Sequence, residues 1–450
     1  MDQKYVILIA STIASFFTPF MASAVNVAIP AIEEEFELNA IFIAWISTAF
    51  LLSTAMFLVP MGKLGDIKGR KKIFVLGLFI FVISSFLCSI SLSGEMLVIF
   101  RFFQGFGSAM VGGTAMAMLS SAFPQRERGK VLGINTSAVY IGLSTGPLLG
   151  GIITQNFGWR ALFSLPLFLA LVPIYLALKF KEENAVKEET FDAIGSIMFS
   201  ISLFMLIYGF SSIPETLGFF LVSLGIILLI IFTLIESRIP EPVLNMNLFR
   251  KNILFTMSNL AALLNYSATF AVAFLISLYL QFVKGLTPQE AGLILLTQPV
   301  VMAILSPISG WISDRFEPKV VASIGMAFTS FSLFLFSSLE IETPIMVLLI
   351  YLLLIGSGFG LFTSPNTNAV MSSVEKKFYG LASATLATMR VIGQALSMGI
   401  VMLIFAVAIG TARIKDSIPE FMIAMRMAFT ISAILCFFGI FVSLARGKVR

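Results

Sequence analysis

Apolar residues along this chain come in long unbroken runs, and short polar stretches between them carry nearly all the charge. A bilayer core roughly 30 Å thick needs about 20 apolar residues per helix. Fourteen runs of that kind can be marked. Six lie near 6–29, 42–61, 73–92, 96–118, 131–154 and 161–178, two near 193–212 and 217–235, and six near 253–282, 290–312, 320–338, 344–370, 379–408 and 421–444. Alternating ten-residue strands, the mark of a membrane barrel, are not seen. The first run is too long for a signal-peptide core and no small-residue cleavage site follows it, so it is expected to stay as a helix. The pattern predicts an all-α, polytopic membrane protein.

Composition sharpens this. Only 12% of the 450 residues are charged and 58% are hydrophobic, and the mean hydropathy is +0.99. A soluble protein carries roughly 25% charged residues, so soluble enzymes, disordered chains and nucleic-acid-binding modules are excluded. Phe outnumbers Tyr and Trp, 46 against 8 and 3, which suggests aromatic bulk facing lipid. Cys88 and Cys436 both sit in apolar runs, so neither a disulfide framework nor a metal cluster is expected. Histidine is absent, which removes zinc HExxH sites, Ser-His-Asp hydrolases and imidazole proton shuttles. No catalytic residue and no cofactor are expected.

Charge fixes a predicted orientation. With the N-terminus in the cytoplasm, 22 of the 29 basic residues fall in cytoplasmic segments, including Lys4, Lys63 to Lys72, Arg126 to Lys130, Lys181, Lys187, Arg315, Lys376, Lys377, Arg446, Lys448 and Arg450. Arg160, Lys284, Arg413, Lys415 and Arg426 fall on or near the outer side, and Arg101 and Arg390 lie within spans. The positive-inside rule then places both termini in the cytoplasm of a multi-pass cell-membrane protein. The net charge of +5 reflects this topology rather than a nucleic-acid partner.

The runs group as six helices over 1–180, an inserted pair with cytoplasmic linkers over 181–252, and six more over 253–450. After the second helix of each six comes a similar loop, "GKLGDIKGRKK" from Gly62 and "GWISDRFEPK" from Gly310. In both, an Asp follows the Gly by four residues (Asp66, Asp314) with basic residues beyond (Arg70, Arg315). Two related halves with a path at their interface is a common plan of secondary transporters. Gly62, Gly65 and Gly69 are expected to allow a tight turn between two helices.

The first of these loops closely resembles the loop signature of the major facilitator superfamily of transporters. "RFFQGFGSA" (Arg101 to Ala109) looks like that family's fourth-helix motif, and "GLSTGPLLGG" (Gly142 to Gly151) like the fifth-helix motif associated with antiporters. "GWRALFSLPLF" (Gly158 to Phe168), the inserted pair and the stretch Pro365 to Ser397 resemble the fourteen-helix drug:proton antiporter branch. The likeness covers essentially the whole chain. It implies two six-helix bundles with two inserted helices, a gate at Gly62, Gly65, Asp66, Gly69, Arg70, Asp314 and Arg315, and a helix-bend motif at Gly142, Gly146, Pro147, Gly150 and Gly151. A Gly-Pro pair frees a backbone carbonyl, and glycines on one face permit close packing.

Arg101 and Arg390 are the sharpest candidates for the path. A mid-membrane ion is expensive, at roughly 2.5–3.5 kcal/mol on insertion scales, so each is expected to face the interior, satisfied by carbonyls, Gln104, Gln394 or a ligand. Asn26, Asn135, Tyr140, Asn259, Asn265, Tyr266, Gln298, Asn366 and Asn368 join them as candidate cavity residues. Members of the branch commonly carry an Asp in the first helix, in a pattern ending N-V-A-[LI]-P. Here Met21 holds that position in "MASAVNVAIP". Every carboxylate falls in a loop or at a helix end, Glu33 to Glu37 among the outer loops, so a central acid proton carrier is missing.

The expected function is alternating-access secondary transport, with efflux of amphipathic small molecules or drugs and protons or another ion as the coupling partner. Export of an endogenous metabolite or anion, and a non-transporting receptor or scaffold on the same fold, are the alternatives. The expected partners are a small-molecule substrate, a coupling ion and membrane lipid. No Walker A loop is present to use ATP. Oligomeric state is not legible in the chain.

Overall fold

The structure, a computed structural model, describes residues 2–124, 126–180, 191–239, 242–244, 246–375 and 378–447. Lys181, Lys187, Lys376, Lys377, Lys448 and Arg450, counted above for orientation, lie outside them. Among the described residues, fourteen helices are long and apolar enough to cross a membrane. They are α1 (Gln3–Phe36), α2 (Ala40–Lys68), α3 (Arg70–Ser89), α4 (Gly94–Ala122), α5 (Arg128–Phe157), α6 (Trp159–Lys179), α7 (Ala193–Ser212), α8 (Thr216–Glu236), α9 (Ile253–Val283), α10 (Pro288–Ser313), α11 (Pro318–Phe336), α12 (Ile345–Ser372), α13 (Tyr379–Ala408) and α14 (Ile418–Leu444). No strand occurs among the described residues. In lipid every backbone amide must be satisfied within the segment, and a continuous apolar run does this as a helix.

Polar side chains start the helices. Asn39 accepts from the Phe42 amide at 2.8 Å, Asn252 from Phe255 at 3.0 Å, and Thr287 and Glu290 form a reciprocal capping box at the start of α10. The "GKLGDIKGRKK" segment is less of a turn than expected. Helix α2 continues through Gly62 and Gly65 to Lys68, and only Gly69, at φ 106°, reverses the chain. Gly62 instead lets α2 approach the Gly113 backbone of α4. Glu33 is also not in a loop: it lies in the last turn of α1 and is fully buried.

Helices α1 to α6 pack mainly on one another, as do α9 to α14, while α7 and α8 pair and lean on α2 and α13. The two sets of six meet along α2 against α13 and α5 against α10. The N-terminal start of α1 and the end of α14 lie on one face, here the terminal face; the other is the far face. Outward-pointing Phe219 and Phe220 on α8, and Phe437, Phe438 and Phe441 on α14, give the apolar surface that a bilayer requires.

Helix α5 runs unbroken through Pro147. Its Gly142, Gly146 and Gly150 meet α1 at Phe16, Ser23 and Ala24. Gly151 meets the Pro288 carbonyl of α10, and Gly292 of α10 meets the Pro147 carbonyl in return. A Cβ at either position would strike backbone. Small residues give membrane helices their closest contacts, so this reciprocal pair holds α5 and α10 together near the far face.

Candidate functional site

The seam between the halves is closed at the far face and hollow toward the terminal face. At the far face Arg413 Nε lies 3.3 Å from Glu33 Oε1 and Arg413 Nη1 lies 3.8 Å from Glu37, while Lys415 lies 3.6 Å from Glu34. The bond to the buried Glu33 raises the Arg413 guanidinium above its ordinary range. Ala40 donates its amide to the Ala412 carbonyl at 3.0 Å, and Gln281 donates to the Val27 carbonyl at 3.1 Å. Each contact joins α1 or the start of α2 to the C-terminal six.

At the terminal face a cavity of about 650 Å³ separates α2 and α4 from α13, with Lys63, Asp66, Arg70, Ser120, Arg128 and Thr388 in its wall. It shares Leu58, Gly112 and Ala387 with a deeper cavity of about 80 Å³ that reaches Asn135, Tyr140, Arg390 and Gln394. A third, of about 30 Å³, shares Tyr140 and Arg390 and adds Tyr266, Thr363 and Asn366. A fourth, of about 60 Å³, shares Gln394 and adds Asn26, Gln298 and Phe359. Together they form a chain of small voids leading from the large cavity into the seam.

At its centre the Tyr140 and Tyr266 hydroxyls meet at 2.9 Å, one phenol from each half. The Arg390 guanidinium lies 5.9 Å from the centre of the Tyr140 ring, within cation–π range. Among the described residues no carboxylate pairs with Arg390, and none lines the three inner cavities. Met21 is fully buried in the core. The centre of the seam thus offers two phenols, amides, aromatic faces and one guanidinium.

Not every candidate lies here. Arg101 is wholly buried within the N-terminal six, donating to the Ile46 carbonyl at 3.0 Å and to Gln104 at 2.6 Å, with the Phe50 ring 4.4 Å away. Gln104 in turn donates to Ser85 at 2.6 Å. Neither lines a described cavity. Carbonyl dipoles and a ring face solvate this ion, because its side of α4 points at α2 and α3 rather than at the seam. Asn265 is buried with no partner for its amide among the described residues and also lines no described cavity.

The gate residues remain within their own halves. Arg70 Nε bonds Asp66 at 2.6 Å and Arg70 Nη1 the Ala117 carbonyl at 3.3 Å. Asp314 accepts from Asn368 at 3.2 Å, and Arg315 stacks on Trp311 at 4.0 Å. Three residues carry contacts that the sequence patterns did not single out. Glu33 and Arg413 close the far face. Arg446, counted above among the cytoplasmic basic residues, is buried and donates to Asn366 at 3.0 Å and to Ser443. Burial draws its guanidinium down to about 10.

Comparison with known proteins agrees with this geometry. Residues 11–257 and 258–449 match the family model described as Major Facilitator Superfamily. The riboflavin transporter RibZ of Clostridioides difficile is 32% identical over 446 residues, 98% of this chain and 97% of that protein. The multidrug resistance protein Stp of Mycobacterium tuberculosis is 28% identical, covering 87% of this chain and 74% of its own. The tetracenomycin C resistance and export protein of Streptomyces glaucescens is also 28% identical, covering 92% and 77%. Among solved structures, a bacterial homolog of the human lysosomal transporter Spinster, inward-facing and unoccupied, superposes with a TM-score of 0.69 at 14% identity, covering 99% and 97%. The human organic anion transporter MFSD10 gives 0.66 at 13% identity, covering 98% and 100%.

Proposed function

We propose, from the premise that this chain belongs to the Major Facilitator Superfamily and is a secondary active transporter rather than an enzyme, that it exports amphipathic, aromatic small molecules that are neutral or anionic. The observation that carries this is the Tyr140–Tyr266 contact beside Arg390, in a seam whose inner cavities have no carboxylate in their walls. Phenols and Arg390 bind ring faces, carbonyls and anions. A dication there meets a like charge and no counter-ion, and desolvating an ion costs several kcal/mol.

With the basic terminal face in the cytoplasm, the hollow seam is the inward-open state and Glu33–Arg413 is the outer gate. Asp66 and Arg70, with Asp314 and Arg315, would then form the cytoplasmic gate, engaged across the halves in the outward-open state. Proton exchange is assigned to carboxylates at the two faces, since the walls of the inner cavities have none. The 32% identity to a protein named as a riboflavin transporter favours riboflavin as a first probe, being neutral, planar and amphipathic.

The test is flux in liposomes carrying the purified chain, under imposed pH and sodium gradients, with riboflavin and dyes of graded charge. Gradient-driven flux of neutral or anionic probes is expected. Flux of dications alone would refute the substrate class, and no flux of any probe would favour a receptor or scaffold.

A further inference from the structure

Two acids meet at the terminal face where the inserted pair begins and ends. Asp192 caps α7, its Oδ1 accepting from the Gly195 amide at 2.9 Å. Glu236 ends α8, its Oε2 accepting from the Leu244 amide at 3.1 Å. The second oxygen of each, Asp192 Oδ2 and Glu236 Oε1, is buried without a hydrogen-bond partner among the described residues, and Glu236 is 1% exposed. Both oxygens crowd the space above Gly195, where a Cβ would collide with each of them. Glycine at 195 is what lets the two carboxyl groups face each other.

The neighbouring elements bring Lys63, Asp66 and Lys68 of α2, Tyr379 of α13 and Arg238 beyond α8 to this end of the bundle. Asp66 is held by Arg70, and the charge acting on Glu236 is that of Asp192. Two ionised carboxylates sharing a dry site repel strongly, and one of them normally keeps a proton. A single O–H between Oδ2 and Oε1 satisfies both orphaned oxygens at once.

We propose that Asp192 and Glu236 bind one proton between them, and that this proton holds the 242–244 segment in the wall of the terminal-face cavity. Pro242, Val243 and Leu244 line that cavity, and Glu236 grips the Leu244 amide. When the proton leaves, repulsion drives the carboxylates toward water and Glu236 releases Leu244. The inserted pair thereby makes the cavity mouth sensitive to pH on its own face. The effect on transport rests on the terminal-face cavity being the substrate's way in; proton binding itself does not.

The measurement is infrared difference spectroscopy of the full chain in bilayers as pH is stepped, together with the pH profile of transport. Glu236→Gln and Asp192→Asn keep the bonds to Leu244 and Gly195 and supply an N–H in place of the proton. A protonated-carboxyl band that titrates and shifts in heavy water is expected in the wild type and should be lost in both variants. Transport by Glu236→Gln should lose the part of its terminal-side pH dependence that tracks the carboxyl band. Absence of the band in the wild type, or its survival in both variants, overturns the proposal. So does a wild-type band abolished by magnesium at constant pH, which would make the pair a metal site. Loss of the band with a wild-type pH profile overturns the link to the cavity wall. Because the infrared readout needs no substrate, it stands whether or not the proposed substrate class does.

Discussion

Glu33 Oε1 and Arg413 Nε meet at 3.3 Å across the seam of the far face, with the Glu33 side chain wholly buried. Exposed ion pairs contribute little, about 0–1 kcal/mol. This one differs because its acid is out of water and its partner belongs to the other half of the molecule. Removing the buried acid takes from Arg413 its buried partner across the seam. Glu33→Gln should therefore lower the far-face-closed population about 5- to 150-fold relative to the open one. Maleimide labelling of Ala412→Cys from the far side measures this, since the native Cys88 and Cys436 are buried. Unchanged labelling would remove Glu33 from the gate.

Asp66 and Arg70 are paired within one half in this state, at 2.6 Å. If they reach across the seam when the terminal face closes, Asp66→Asn should leave expression near normal and slow turnover at least severalfold. Wild-type turnover in that variant would remove the pair from the gating cycle.

The two arginines within spans should separate cleanly. Arg390 borders the inner cavities, so Arg390→Ala should reduce transport at least tenfold with little change in thermal unfolding. Arg390→Lys should rescue it poorly, because an ammonium lacks the planar guanidinium fork. Arg101 lies inside the N-terminal six. Arg101→Met leaves Gln104 Oε1 and the Ile46 carbonyl without their donor, so it should lower the unfolding temperature while the folded protein keeps transport within about twofold. Flux assays paired with unfolding curves check both. Equal transport loss at the two sites would contradict the division.

Tyr140→Phe and Tyr266→Phe each remove one oxygen from the 2.9 Å contact between the halves. Each should raise the KM for neutral substrates by about two- to thirteenfold, since a typical hydrogen bond contributes about 0.5–1.5 kcal/mol. The double variant should be no worse than either alone if the two hydroxyls act as one unit. A double-mutant cycle in transport KM measures the coupling, and full additivity would contradict it.

The helices were legible because a membrane span writes itself as a continuous apolar run, and every run marked from sequence overlaps one of the fourteen spans. Polar residues in those runs pointed to Tyr140, Arg390, Gln394, Asn26 and Asn366, all of which border the inner cavities. Arg101 met the same criterion yet lies elsewhere. An arginine in a helix says that it needs partners, and not whether they lie in the seam or inside one half. Glu33 and Arg413 are 380 residues apart, so no local pattern joins them. Arg446 looked like one more cytoplasmic charge because it follows the last span; its bond to Asn366 joins residues 80 apart in sequence, which no local pattern connects. The Asp192–Glu236 contact likewise needs α7 and α8 to pair and Gly195 to make room.

The central claim is that the carboxylate-free walls of the inner cavities around Tyr140, Tyr266 and Arg390 set the charge of the substrate. Its most direct test is liposome transport of a dication against a neutral or anionic analogue of similar size, in the wild type and in Gln394→Glu. The wild type is expected to move the neutral or anionic analogue and not the dication, and Gln394→Glu to gain cation transport by placing an acid in the wall of two inner cavities. Robust dication transport by the wild type would contradict the account.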